Sequence, residues 1–206
     1  MTSPLVTAPD GRPLIGDIVR LDRLVASDID PLYAAIGNAQ VYAAGFGGGP
    51  AAMPTDVEHM REQWVASSAD RIAYVVRLAT DDAAGPAGTV VGTTSLADVD
   101  LPNESVHLGY TGYSPAVWGT TVNPATKLLV LQHAFEDCGF GRVKIQTGLE
   151  NVRSQAAIAK LGATREGVLR RHKRLADGSF RDTVVFSILA DEWPEVRKGL
   201  LARISG

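Results

Sequence analysis

The stretch YSPAVWGTTVNPATK, residues 113–127, constrains the fold of this chain more than any other. Ahead of it, residues 106–113 read as a strand. Behind it, Leu128, Leu131, Phe135 and Cys138 form one apolar stripe of a helix. Asn123 suits the N-cap, Pro124 the first helical position and Gly139 the stop. A strand that runs through small residues into a sharply started helix leaves unpaired N–H groups converging on one spot, and such a spot accepts phosphate. Lys127 places a cation in the first turn. The helix dipole alone disfavours it there, whereas a shared anion favours it. The plainer alternative is an ordinary strand–helix connection.

The remaining chain supplies a context for that unit. Residues 18–24, 71–80 and 89–97 read as strands before it, and 142–149, 164–175 and 179–189 after it. The last two join at Asp177-Gly178, a strong hairpin signal. Helices are expected from Ser27 or Asp28 to Ile36, from a Thr55/Glu58 capping box to Ser67, from an Asn151 cap to Gly162, and over residues 191–205. The order is one strand, two helices, three strands, helix, strand, helix, two strands. It predicts an α+β domain with a mixed, mostly antiparallel sheet and a parallel pair flanking the central helix. Residues 43–50, Ala-Ala-Gly-Phe-Gly-Gly-Gly-Pro, form either a plain connector or a flap over a substrate with Phe46 as its apolar contact.

At 206 residues one domain is expected, 1–206, with a flexible N-terminus over 1–12. A net charge of −3 gives no electrostatic footprint for nucleic acid. No apolar run reaches the length of a membrane span, and the first residues lack the basic start and apolar core of a signal peptide. One cysteine excludes an internal disulfide framework, and the default location is cytoplasmic. Cys138 sits on the apolar stripe and reads as core. His59, His133 and His172 lack metal-ligand spacing, so no metal is expected. The oligomeric state stays open, a homodimer included. The basic run Arg170-Arg-His-Lys-Arg174 projects to both faces of a strand and reads as mainly solvated, with an acidic acceptor or a ribose phosphate as its alternative partner.

Asn151 and Ser154 are three residues apart, so both lie at the first turn of their helix and on one side of it. The order Asn151-x-x-Ser154 … Leu161-Gly162-Ala163 after a strand resembles the GNAT N-acetyltransferase superfamily. Trp118-Gly119, Leu108-Gly109-Tyr110 and the ending Asp182-x-x-x-Phe186-Ser187-Ile188-Leu189 bring it closest to the ribosomal-protein alanine N-acetyltransferase branch. The likeness runs from about Asp17 to Ala190 and rests on the order and spacing of these motifs.

The resemblance implies a single GNAT-type domain whose sheet splays between the fourth and fifth strands to hold acetyl-CoA as co-substrate. Its pyrophosphate would bind the loop formed by Trp118, Gly119, Thr120, Thr121, Val122 and Asn123, with Lys127 beside it. A backbone N–H at Tyr113 or Ser114 would meet the thioester oxygen. Asn151 would bond the pantetheine arm or the region of the incoming amine, and Ser154 would act on the leaving thiolate. His107 or Glu104 would take the proton of the attacking amine. The superfamily loop carries small residues where this chain has Thr121 and Asn123. A β-branched residue resists positive φ, so the loop is expected to bend differently. The implied reaction is direct acetyl transfer to a primary amine, either a protein N-terminus or a small molecule. A non-catalytic acyl-CoA-binding module and an acyltransferase using a longer donor, such as succinyl-CoA, are the alternatives.

Overall fold

The computed structural model describes residues 6–67 and 70–205. The strands are β1 Leu14–Ile15, β2 Val19–Arg23, β3 Arg71–Leu78, β4 Val90–Asp100, β5 Ser105–Tyr113, β6 Arg142–Gly148, β7 Thr164–Arg174 and β8 Phe180–Leu189. They form one sheet in the order β1-β2-β3-β4-β5-β6-β8-β7. Neighbours are antiparallel except β5 and β6. The helices are α1 Ile29–Ile36, α2 Ala39–Ala43, α3 Val57–Ser67, α4 Val122–Gln132, α5 Val152–Ala159 and α6 Trp193–Ser205. The expected α+β arrangement is present, with its parallel pair on either side of α4. The sequence pattern did not reveal β1 and α2, because two and five residues are too few to show a period.

Both faces of the sheet are covered. Along β3, Tyr74, Val76 and Leu78 join one apolar cluster, while Ala73 and Val75 join another on the opposite face. The first cluster takes Val130 and Leu131 from α4 with Val196 and Leu200 from α6. The second takes Leu32 and Ile36 from α1 and Met60 from α3. A strand buried on both sides needs a continuous apolar run, and Ala73–Leu78 is one apart from Arg77.

Helix starts differ in detail from those expected. Asp56 caps α3, its Oδ1 accepting from the His59 N–H at 2.9 Å, while Glu58 pairs with Arg61 instead of completing a box with Thr55. α4 starts two residues earlier than the Asn123 cap implied. Thr121 is the capping residue, and its carbonyl accepts from the Ala125 N–H at 2.9 Å. Pro124 is therefore third in the helix, where an N–H would also lack an intrahelical partner. Gly139 ends the following π-helical turn with φ +77. Asn151 caps α5 as expected, accepting from the Ser154 N–H at 3.0 Å.

Residues 6–12, part of the terminus expected to be flexible, are held against the end of the α4 segment. The Thr7 N–H donates to the Cys138 carbonyl at 3.0 Å, and Arg12 pairs with Asp137. Cys138 is buried, and burial pushes its thiol up to about 11, so it is an inert core residue. No described helix is long and apolar enough to cross a membrane.

Candidate active site

β5 and β6 pair only over Ser105–His107 and Arg142–Lys144. Beyond that they separate, and the cause lies in β5. Ser95 faces Gly109 and Thr93 faces Gly112, so Tyr110 and Thr111 together oppose Thr94. That is a β-bulge, with Tyr110 at φ +52. A bulge bends the strand that carries it, and here it turns β5 away from β6. The opening is a cavity of about 480 Å³ lined from both strands, from α4, from α5 and from the β7–β8 hairpin.

Two glycines keep the β5 wall open. A Cβ on Gly109 would stand 2.5 Å from the His107 ring, and one on Gly112 would stand 2.6 Å from Phe46. The glycine-rich segment thus lies over β5 through Phe46, which also meets Tyr42 edge-on at 5.4 Å. Asn151 Nδ2 donates to the Ala44 carbonyl at 3.1 Å, and a Cβ on Gly48 would touch Leu175. The segment therefore spans from β5 to the β7–β8 turn across the cleft, and Gly45, Gly47, Gly48 and Gly49 all have positive φ. It lies where the flap reading, the alternative to a plain connector, would place it.

At the other end, Trp118 fixes the loop by donating its indole N–H to the Tyr113 carbonyl at 3.0 Å. Positive φ falls on Gly119, at +81, while Thr121 is helical at φ −74. The loop therefore solves the β-branched problem by placing its turn two residues earlier. Thr120 Oγ1 accepts from the Val122 N–H, and Pro124 has none. Among the described residues the N–H groups of Gly119, Thr121 and Asn123 have no partner in the chain. Gly119 and Asn123 line the cavity; Thr120, Thr121 and Val122 do not, and the Val122 side chain is core. The Ser114 N–H is taken by the Val91 carbonyl at 2.8 Å, and Ser114 stands outside the cleft. Alternation along an antiparallel strand then points the Tyr113 N–H to the β6 side, into the opening. Of the two amides expected near the thioester, only that of Tyr113 is available.

Lys127 was expected in the first turn, but with α4 starting at Val122 it is the sixth helical residue. It is 6% exposed, reaches β5, and donates to Thr111 Oγ1 at 3.0 Å. Thr111 in turn shares a 2.8 Å hydrogen bond with Thr94. No carboxylate pairs with it among the described residues, and burial lowers its pKa to about 7.

His107 lines the cavity and Glu104 does not. Glu104 lies in the turn ahead of β5, its carbonyl accepting from the Gly141 and Arg142 N–H groups. It is thereby removed from the acid–base candidates. His107 is buried, with neither ring nitrogen in a hydrogen bond and Nδ1 3.4 Å from Asp98 Oδ2. Burial, reinforced by Lys144, lowers its pKa to about 4 although Asp98 opposes the shift. Its ring is neutral at pH 7, with a lone pair to offer. Ser154 and Tyr113 line the same cavity, and burial raises the Tyr113 phenol above its ordinary value. Asn151 also lines it, but its side-chain oxygen serves the α5 cap and its nitrogen the Ala44 carbonyl. It is a structural tie between α5 and α2 before it is a ligand group.

Sequence reasoning missed Arg153 and Arg181 and gave little weight to Lys173 and Arg174; all four line the cleft. Arg153 stacks over the Trp118 ring at 4.1 Å. The basic run was the signal for the β7 pair. Arg181 gave none, because its position follows from the curl of the hairpin, where Lys173 pairs with Arg181 after a register shift. No aspartate or glutamate lines the cavity. Among the described residues no group of three or more His, Cys, Asp or Glu side chains is placed to hold a metal ion.

Residues 19–164 match the family model of the acetyltransferase (GNAT) domain. The chain belongs to that family. It is 28% identical over 106 residues to the Bacillus subtilis (strain 168) protein named "Putative ribosomal N-acetyltransferase YdaF", a match covering 52% of this chain and 57% of that one. The chain thus spans little more than half the length of this curated relative. A GCN5-related N-acetyltransferase from Brucella melitensis superposes with TM-score 0.83 at 25% identity, covering 96% of this chain and 87% of the other. Mycobacterium smegmatis RimJ, solved with CoA-disulfide, superposes with TM-score 0.67 at 21% identity over 93% and 91% of the two chains. The second likeness concerns the fold.

Proposed function

We propose that this protein is an acetyl-CoA-dependent N-acetyltransferase that moves an acetyl group directly to a primary amine. The carrying observation is the opening between β5 and β6, which is lined at one end by Gly119 and Asn123, whose N–H groups have no partner among the described residues. A diphosphate fits such a loop and helix start. Lys127, a buried amine without a carboxylate, supplies further positive charge on the same wall once an anion raises its proton affinity.

In this reading the neutral amine attacks the thioester carbon, a C–N bond forms and the C–S bond breaks. The Tyr113 N–H stabilises the oxygen as it gains charge. His107 accepts the amine proton directly or through water, and Ser154 hydrogen-bonds the departing thiolate, with Tyr113 as the other donor in reach of the cleft. Cys138 is buried in the core and forms no acyl-enzyme. The acceptor class of the ribosomal relatives, a protein N-terminal amine, competes with a small-molecule amine. The test is a thermal-shift titration with acetyl-CoA followed by thiol release with a panel of amines. At about 100 times its dissociation constant the cofactor adds about 2.7 kcal/mol. Roughly 2–4 °C per kcal/mol makes this a rise of several degrees. Absence of any shift at millimolar acetyl-CoA and other CoA esters refutes the reading. Binding without thiol release from any amine favours the non-catalytic module.

A further inference from the structure

Cations gather in the cleft. On the outside, Arg12, Arg20, Arg61, Arg77, Arg142, Lys144 and Arg197 each pair with a carboxylate. Inside the cleft, Lys127, Arg153, Lys173, Arg174 and Arg181 have no carboxylate partner among the described residues. For a chain of net charge −3 this concentration is strong, and it collects anions.

The five cations divide between two faces of the sheet. Lys127 belongs to α4 and lies on one face. Arg153 stacks on Trp118 beside the same loop. These two suit the cofactor's phosphates. Arg181 lies on the opposite face. His107 and Lys144 are register partners, so alternation puts Gln146 and Gly148 on the His107 face as well. The Arg181 side chain runs past the place where a Gly148 Cβ would stand, 3.6 Å from its Cδ and 3.8 Å from its Nη1. Lys173 is opposite Arg181 on β7 and shares its face, whereas Arg174 projects to the other face and donates its Nε to the Gly178 carbonyl at 3.4 Å. Arg181 Nε is buried without a hydrogen bond. A buried guanidinium donor left unpaired is costly unless a ligand completes it, and its planar fork fits a carboxylate or phosphate.

His107 shares that face. An amine has to arrive where its proton is taken, so the group beyond the amine points toward Arg181. We infer that the acceptor is a small amine bearing an anionic group, held by Arg181 with Lys173 across the cleft from α4. This rests on the acetyltransferase reading above and names its acceptor class. The anion is a carboxylate or a phosphate, and the experiment separates them.

The test measures thiol release from acetyl-CoA with free amino acids, their α-carboxamides, and aminoalkyl phosphates beside the matching amino alcohols. The expected result is a preference of at least tenfold in kcat/KM for the anionic member of one pair, and which pair it is identifies the anion. Replacing Arg181 by Gln (R181Q) should collapse that preference at least tenfold through the KM of the anionic acceptor. The acetyl-CoA thermal shift should persist in R181Q, as a check on folding. Should R181Q fail to fold, R181K keeps the charge without the fork and is expected to lose part of the preference. Equal turnover within the pairs overturns the inference, as does faster turnover of neutral amines or of peptide N-termini lacking acidic groups. So does a tenfold preference for succinyl-CoA with neutral amines, since the anion then belongs to the donor. Each of these leaves acetyl transfer standing. Acetyl-CoA binding with no anionic amine turned over also overturns it. A protein that binds no CoA ester at all removes the functional reading itself.

Discussion

Replacing Lys127 by Met (K127M) tests the charge balance of the cleft. Met keeps the length and apolar stem of lysine and removes the amine. In the free protein Lys127 has no carboxylate partner, and burial lowers its pKa from 10.5 to about 7. The unfolded chain holds its proton up to about 10.5, and the folded protein releases it above about 7. Between those values the unfolded state binds more protons, so stability climbs with pH across that window. Below pH 7 both states are charged and the full cost of burial is present. At about 1.4 kcal/mol for each tenfold change in proton affinity, that cost is at most about 5 kcal/mol. K127M removes it and loses the bond to Thr111 Oγ1, a loss of about 1–3 kcal/mol. With burial at its upper figure, the expected net gain at pH 6.5 is about 2–4 kcal/mol, a rise of roughly 4–16 °C in Tm. With acetyl-CoA the order reverses. Loss of a charge-assisted bond of about 1.5–3 kcal/mol weakens binding roughly 10- to 100-fold. Urea titrations of both proteins from pH 6 to 9.5, with and without acetyl-CoA, measure this. The K127M advantage should shrink as pH rises above 7. A destabilised K127M at pH 6.5, or an advantage independent of pH, refutes the reasoning. Unchanged affinity for acetyl-CoA shows that Lys127 serves the strand and not the cofactor.

Ser154→Ala is expected to fold normally, because Asn151 carries the cap, and to lower kcat by roughly 10-fold to 10²-fold with acetyl-CoA affinity unchanged; a loss confined to affinity makes Ser154 a binding residue. His107 sits at about 4 in the fold against 6.5 for an exposed imidazole, so the unfolded chain takes up its proton first and stability falls as pH drops from 6.5 to 4. His107→Gln should therefore flatten acid unfolding in that window by up to about 3 kcal/mol, and an unchanged acid limb in a denaturant series refutes this. The same neutral His107 predicts that kcat/KM rises with pH until the acceptor ammonium has lost its proton and shows no limb near 6.5, which a pH–rate profile checks. Gly112→Ala places a methyl 2.6 Å from the Phe46 ring, so it should displace the segment over the cleft and raise the acceptor KM, while a wild-type KM shows the segment to be a passive connector.

The strands and long helices were legible in the sequence because period and turn chemistry are local. The hairpin at Asp177-Gly178, the stop at Gly139 and the Asn151 cap all follow from residues within one turn of each other. The start of α4 was misread because Asn123-Pro124 offers a good cap signal, whereas Thr121 takes the role through the loop that Trp118 pins to Tyr113. The splay was implied by resemblance alone. Its physical cause, the bulge at Tyr110 and Thr111, depends on register with Thr94, which no single strand reveals. Of the residues singled out on the strand–loop–helix unit, His107, Tyr113, Trp118, Gly119, Asn123 and Lys127 line the cleft, while Thr120, Thr121 and Val122 do not. Glu104 falls outside the cleft because it sits in the turn before β5, and the Ser114 N–H because alternation turns it toward Val91 on β4. Arg181 and Arg153 went unseen because the curl of a hairpin and a stack on Trp118 bring them in from outside that unit.

The three-residue ladder between β5 and β6 also leaves two naked strand edges facing each other inside the protein. An open edge is normally a hazard, since its amides and carbonyls invite another chain to pair with them. Here the edges are recessed, and the segment carrying Phe46 lies across them, so no second chain can dock while a thin guest can. A ligand with amide groups of its own could bridge the gap as a temporary strand and knit the sheet into one continuous surface. The β6-facing amides of residues 108–113 should then exchange with deuterium quickly in the free protein and slowly once the gap is filled. Occupancy of the cleft would be readable from the backbone alone.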